Sequence, residues 1–130
     1  MVNKADREIV QHIDEAFAAL IASLKDLARS VPPENLLRSA AAIEQMCGGL
    51  TANLWDDPFE WTLPETLSNA DRIIEYLSEV DLARQRAFDS IDDAALSKYV
   101  AVPSGEERVL ISVLLETLVR ASEYRGRANK

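Results

Sequence analysis

Leu110-Ile111-Ser112-Val113-Leu114-Leu115-Glu116-Thr117-Leu118-Val119-Arg120-Ala121-Ser122-Glu123-Tyr124-Arg125-Gly126-Arg127 is the stretch from which the fold is read. Leu110, Leu114, Thr117, Ala121 and Tyr124 are spaced by three and four, so they share one helical face. Val113 and Leu118 widen that face. Gly126 is the expected stop, because glycine ends helices easily. A helix with a single apolar stripe must bury it against other elements, so the rest of the chain should supply partners.

It supplies three. The first helix is expected from about Lys4 to Arg29. Ile9, Ile13, Ala16, Leu20, Leu24 and Leu27 form its stripe, widened by Phe17 and Ile21. Ser30-Val31-Pro32-Pro33 breaks it, since proline cannot continue a helix. The second starts near Glu34 and carries Leu36, Ala40, Ile43, Cys47, Leu50 and Leu54. Gly48-Gly49 interrupts that helix. Either it is a tolerated weak point costing ~1 kcal/mol per glycine, or another backbone or a ligand comes very close there; the expectation is the first. Trp55 through Trp61 read as a loop around the turn signal Asp56-Asp57-Pro58.

The third helix is expected to open at the capping box Thr62-Leu63-Pro64-Glu65. Leu63, Leu67, Ala70, Ile74 and Leu77 make its stripe. Asp81 and Arg84 then fall near the seam, which reads as a local rotation of the stripe through Val80 and Ala87 before Phe88 and Ile91 resume it. Residues 92–103 connect to the fourth helix, with Tyr99-Val100-Ala101-Val102 an extended candidate. A second capping box, Ser104-Gly105-Glu106-Glu107, is the expected start of that helix, and Ala128-Asn129-Lys130 should fray. Four amphipathic helices predict an all-α four-helix bundle. The whole chain, residues 1–130, reads as one domain.

The balance of charge narrows the function classes. A formal net charge of −8 disfavours general nucleic-acid or anionic-membrane binding, which needs clustered cations. The single cysteine, Cys47, allows no disulfide within the chain, which fits a reducing compartment. The charged N-terminus does not read as a signal peptide, and no apolar run approaches the ~20 residues that span a bilayer. The expected location is cytoplasmic.

The end of the last helix carries a resemblance. Arg120-Ala121-Ser122-Glu123-Tyr124-Arg125-Gly126-Arg127 resembles the His-x-x-x-His-Arg-Gly-Gln segment of the DinB-like four-helix bundles, with Arg120 and Tyr124 where the histidines would be. The Pro-containing break after the first helix, Trp61-Thr62-Leu63-Pro64-Glu65 and Phe88-Asp89-Ser90-Ile91-Asp92-Asp93-Ala94-Ala95-Leu96 follow in the family's order. The resemblance implies a bacterial protein with an up-down-down-up bundle and the possibility of a homodimer. Family enzymes resemble thiol-dependent transferases and isomerases. They hold a divalent metal with one histidine from the second helix and two from the fourth.

Here the second-helix position falls at Met46 or Cys47. Arginine stays protonated and cannot ligate. His12, the only histidine, sits on the polar face of the first helix and reads as a solvated residue. The three-histidine site is therefore missing, and no metal or other cofactor is expected. The resemblance instead implies a pocket at Met46, Cys47, Arg120, Tyr124 and Arg125. Arg120 and Tyr124 suit a small acidic ligand. The plainer reading pairs Arg120 with Glu44, Asp71 or Asp81 as a structural ion pair. For Cys47, core packing is expected over a thiolate activated by Arg120. The Trp55, Phe59 and Trp61 cluster reads as a cap on the core, ahead of a pocket mouth or a dimer contact.

Two functions stay open. The first is metal-free binding of a small acidic ligand, or self-association. The second is a thiol-dependent transferase or isomerase using altered pocket residues. The expectation is the first.

Overall fold

The computed structural model describes residues 4–56, 58, 67 and 69–128. Among the described residues there are four α-helices: α1 (Glu8–Leu27), α2 (Pro33–Ala52), α3 (Ala70–Asp89) and α4 (Leu110–Ala128). A short hairpin, β1 (Tyr99–Ala101) and β2 (Glu107–Val109), precedes α4, and 3-10 turns cover Lys4–Arg7 and Asp93–Ser97. The fold is the expected all-α four-helix bundle.

Each helix boundary has a local cause, and several differ from the sequence expectation. The regular part of α1 begins at Glu8, and Arg7 gives it no side-chain cap. The carboxylate of Asp93 accepts from the amides of Ile9 and Val10, at 3.2 and 2.9 Å. Those amides have no partner within the helix. α2 starts on Pro33, whose missing N–H costs nothing there. It stops at Asn53, which takes the left-handed conformation (φ 55°) that asparagine tolerates.

α3 starts at Ala70, not at Thr62. Asn69 is its cap and accepts from the amide of Asp71 at 2.7 Å. Leu67 lies outside any helix, and the Thr62–Glu65 box lies outside the described residues. Ser104-Gly105 is likewise no helix start. It is the hairpin turn, where Gly105 adopts φ +85° and its amide reaches the Val102 carbonyl at 2.9 Å. α4 begins only after β2, its Leu110 amide bonded to the Lys98 carbonyl at 2.8 Å. Gly126 does not end α4, which runs on to a buried Ala128.

α2 packs between α3 and α4, and α1 lies mainly against α3 with α4 on its other side. α1 and α2, though consecutive, barely touch. Phe17, Leu24, Leu37, Ile43, Leu77, Phe88 and Leu114 fill the centre. The Phe17 and Phe88 rings meet at 5.6 Å between centroids, tilted by 45°. The stripes hold in the middle of each helix and fail at two ends. Ile9 is 53% exposed while Val10 is buried, and Leu54 is 61% exposed beyond the end of α2.

Polar groups also tie the bundle. Val80 and Ala87 are buried as expected from the rotated stripe, but so is Arg84. Arg84 reaches Asp14 of α1 and Asp81 of its own helix. Burial alone would lower its pKa. The hydrogen bonds to Asp81 and Asp14 and the charges of the two carboxylates together outweigh burial, and the net direction is upward. Ser39, fully buried in α2, donates to the Ala121 carbonyl of α4 at 2.7 Å.

Half-buried Glu44 accepts from the Tyr76 hydroxyl at 3.3 Å. Burial pushes the Glu44 carboxyl up, the Tyr76 bond partly opposes this, and Glu79 adds to it. A carboxyl raised in the folded state contributes stability that is complete below the ordinary glutamate range. That contribution is lost as pH rises through the raised value. Glu44→Gln keeps an acceptor for Tyr76 and removes the charge. Urea titrations should show Glu44→Gln matching the parent near about pH 4 and exceeding it near about pH 8.

Candidate binding site

A cavity of about 260 Å³ opens between α2, α4 and the hairpin. Gln45 and Met46 face it from α2, and Val113, Glu116, Thr117 and Arg120 from α4. Val102, Pro103 and Arg108 close it from the hairpin, and Trp55 from the segment after α2.

Trp55 is held on several sides. A Cβ added to Gly49 would lie 2.2, 2.2 and 2.4 Å from both ring-fusion carbons and the neighbouring ring carbon of the indole. No point in the ring plane satisfies all three distances, so the indole lies face-on over Gly49. Its N–H donates to the Asn53 side chain at 3.2 Å, and its carbonyl accepts from Gln45 at 2.8 Å. Gly48 has the Leu54 carbonyl 2.9 Å from where its Cβ would be. Gly48-Gly49 is therefore a close-approach site, not the tolerated weak point.

Gly49→Ala should destabilise despite alanine's better helix propensity. A gain of ~1 kcal/mol competes with an overpacking cost of about 1–3 kcal/mol. The Trp55 indole N–H resonance should shift with it. An unmoved resonance and a higher urea midpoint would contradict this packing.

The sequence-predicted site residues separate. Met46 and Arg120 line the cavity together. Cys47 does not, because neighbouring positions on a helix point about 100° apart. It is 1% exposed in the core. Burial pushes its thiol up to about 12. Arg84 opposes that shift, while Glu44 and Asp14 reinforce it. The guanidinium acting on Cys47 is thus Arg84's, not Arg120's. At neutral pH Cys47 is a neutral core thiol.

Tyr124 is half-buried outside the cavity, with the Arg127 guanidinium 5.4 Å from its ring centroid. Arg125 donates to Ser23 of α1 and so joins helices. His12 is exposed.

The acids considered as partners of Arg120 are engaged elsewhere. Asp71 pairs with Arg29, Asp81 with Arg84, and Glu44 with Tyr76. Arg120 is exposed at the cavity lip and makes no ion pair among the described residues. Its charge acts on Glu116, one turn earlier. Arg108 grips Glu116 through both terminal nitrogens and holds that carboxyl below the usual range. Glu106 also acts on Arg108, and Glu123 lies beside Arg120 on the outer side of α4, so acids and guanidiniums alternate around the lip.

The sequence reading did not assign Gln45, Arg108, Glu116 or Thr117 to a site, and it ranked Trp55 first as a cap on the core. The paired glycines were the available signal for Trp55. Phe59 and Trp61 lie outside the described residues.

The positions that match the family's metal ligands do not make a metal site. Arg120 has no lone pair to give, Cys47 is protonated and buried, and Tyr124 lies elsewhere. Among the described residues, no three His, Cys, Asp or Glu side chains gather as a cation site would require. No family model matches the sequence, no curated protein is significantly similar to it, and no solved structure matches the fold significantly. Among the described residues, no helix is long and apolar enough to cross a membrane.

Proposed function

We propose that this protein is a DinB-like bundle of up-down-down-up order that lacks the family's metal site and binds a small anionic ligand at the α2–α4 cavity. Contacts between helix ends support that order. Arg7 at the start of α1 bonds to the Phe88 carbonyl at the end of α3, and Arg29 beyond α1 pairs with Asp71 at the start of α3. Ser39 early in α2 meets Ala121 late in α4. Ser23 and Arg125, both late in their helices, meet each other.

The observation that carries the binding reading is Arg120, a guanidinium at a cavity lip with no carboxylate paired to it among the described residues. Its forked donors suit a carboxylate. The neutral, buried Cys47 thiol supports binding over thiol chemistry. The cytoplasm is the proposed location.

Isothermal titration with acetate, succinate and benzoate tests this reading. A carboxylate should bind, more weakly at high salt. Arg120→Gln should weaken it about 10- to 100-fold, the equivalent of a charge-assisted hydrogen bond, with an unchanged helical circular-dichroism spectrum. Equal binding by the variant, or binding by no carboxylate, would overturn the reading. Stoichiometric zinc or nickel in the purified protein would overturn its metal-free form.

Self-association is a second reading. Leu115 and Val119 are 44% and 58% exposed, side by side with Arg120 on the outer face of α4. Sedimentation velocity of the parent and of Val119→Lys would test it, with a dimer in the first and a monomer in the second.

A further inference from the structure

We infer that the ligand class of this cavity is a single-ring aromatic carboxylate, its ring stacked on Trp55 and its carboxylate held by Arg120. The inference rests on the binding reading above and adds the nature of the ligand's non-ionic part. The Trp55 indole is held before any ligand arrives by Gly49 beneath it and by Asn53 at its N–H, and the backbone carbonyl of Trp55 accepts from Gln45. Gly49 covers one face, and Trp55, partly buried as a whole, is one of the residues that line the cavity. A preset aromatic surface favours a planar ring, since offset stacking adds attraction beyond area burial. Little entropy is lost in ordering a wall that is already ordered. Met46, almost fully buried, backs the same wall. At about 260 Å³ the space falls below that of drug-sized sites, which begin near 300 Å³, so one ring fits the volume. Thr117 at the wall offers a hydroxyl for a ring substituent or the second carboxylate oxygen.

Benzoate and cyclohexanecarboxylate make the decisive pair. They share a carboxylate and a carbon count and differ in planarity and π-electrons. Titration calorimetry of the full chain should show benzoate binding about two- to tenfold more tightly. Trp55→Leu should remove that preference while keeping the weaker acid, and Trp55→Phe should retain part of it. Circular dichroism confirms that each variant is folded, and Arg120→Gln, which leaves the wall intact, should weaken both acids equally. Equal affinity of the parent for the two acids, or a preference that persists in Trp55→Leu, would overturn the aromatic assignment and leave anion binding standing. Failure of both acids to bind would overturn the two readings together.

Discussion

Arg84→Ala should lower the stability of the bundle by about 3–5 kcal/mol, read as a fall in the urea midpoint at unchanged slope. The side chains of Arg84, Asp14 and Asp81 are 10%, 18% and 28% exposed. Removing the cation leaves two carboxylates half out of water and next to each other's field. Desolvation, not the lost attraction alone, sets the size of the effect. Two comparisons isolate it. Asp14→Ala in the Arg84→Ala background should cost less than Asp14→Ala in the parent. Arg29→Ala should change stability by less than about 1 kcal/mol, because Arg29 and Asp71 are 65% and 76% exposed. If Arg84→Ala and Arg29→Ala behave alike, the Asp14–Arg84–Asp81 cluster is not structural.

Phe88→Ala should cost a similar amount, about 3–5 kcal/mol, for an apolar reason. Phe88 is fully buried and its ring meets that of Phe17. Truncation removes that contact and leaves a hole at the end of α3, where the chain is already turning. The neighbouring backbone limits collapse into the hole. The Phe88 carbonyl accepts from Arg7 at 2.7 Å and from the Ile91 amide at 3.2 Å, so the chain cannot easily move inward. Phe88→Leu should recover much of the loss. A loss below about 1 kcal/mol for Phe88→Ala would mean that the site closes around the smaller residue.

The two predictions mark what periodicity reveals and what it does not. Phe88, Leu77, Leu24 and Leu114 were legible because a run of three and four spacings allows only one buried face. Ile9 broke the rule because the buried face at the start of α1 falls on Val10, and Leu54 because it lies past the end of α2. Helix starts were read from Ser/Thr-x-x-Glu boxes, and that signal is degenerate. Ser104 with Gly105 serves a hairpin turn equally well, and α3 takes Asn69 instead. Asn53, not the Gly48-Gly49 pair or Gly126, supplied the left-handed residue that ends a helix.

Of the positions named from the motif register, Met46 and Arg120 line the cavity. Cys47 and Tyr124 were separated from them by where each helix face turned. Arg108 and Glu116 were not readable as a pair: Tyr99–Val102 was an extended candidate, but the segment that became its partner strand, Glu107–Val109, was read as the start of the last helix. Arg84 needed a partner 70 residues away to be explained.

The first helix of the chain has no cap of its own. The group that binds its opening amides, Asp93, lies 83 residues downstream of Val10. Contacts so distant along the chain slow folding. The opening turn of α1 and the Asp93–Ser97 turn are therefore fastened to each other, and loosening one uncovers the amides held by the other.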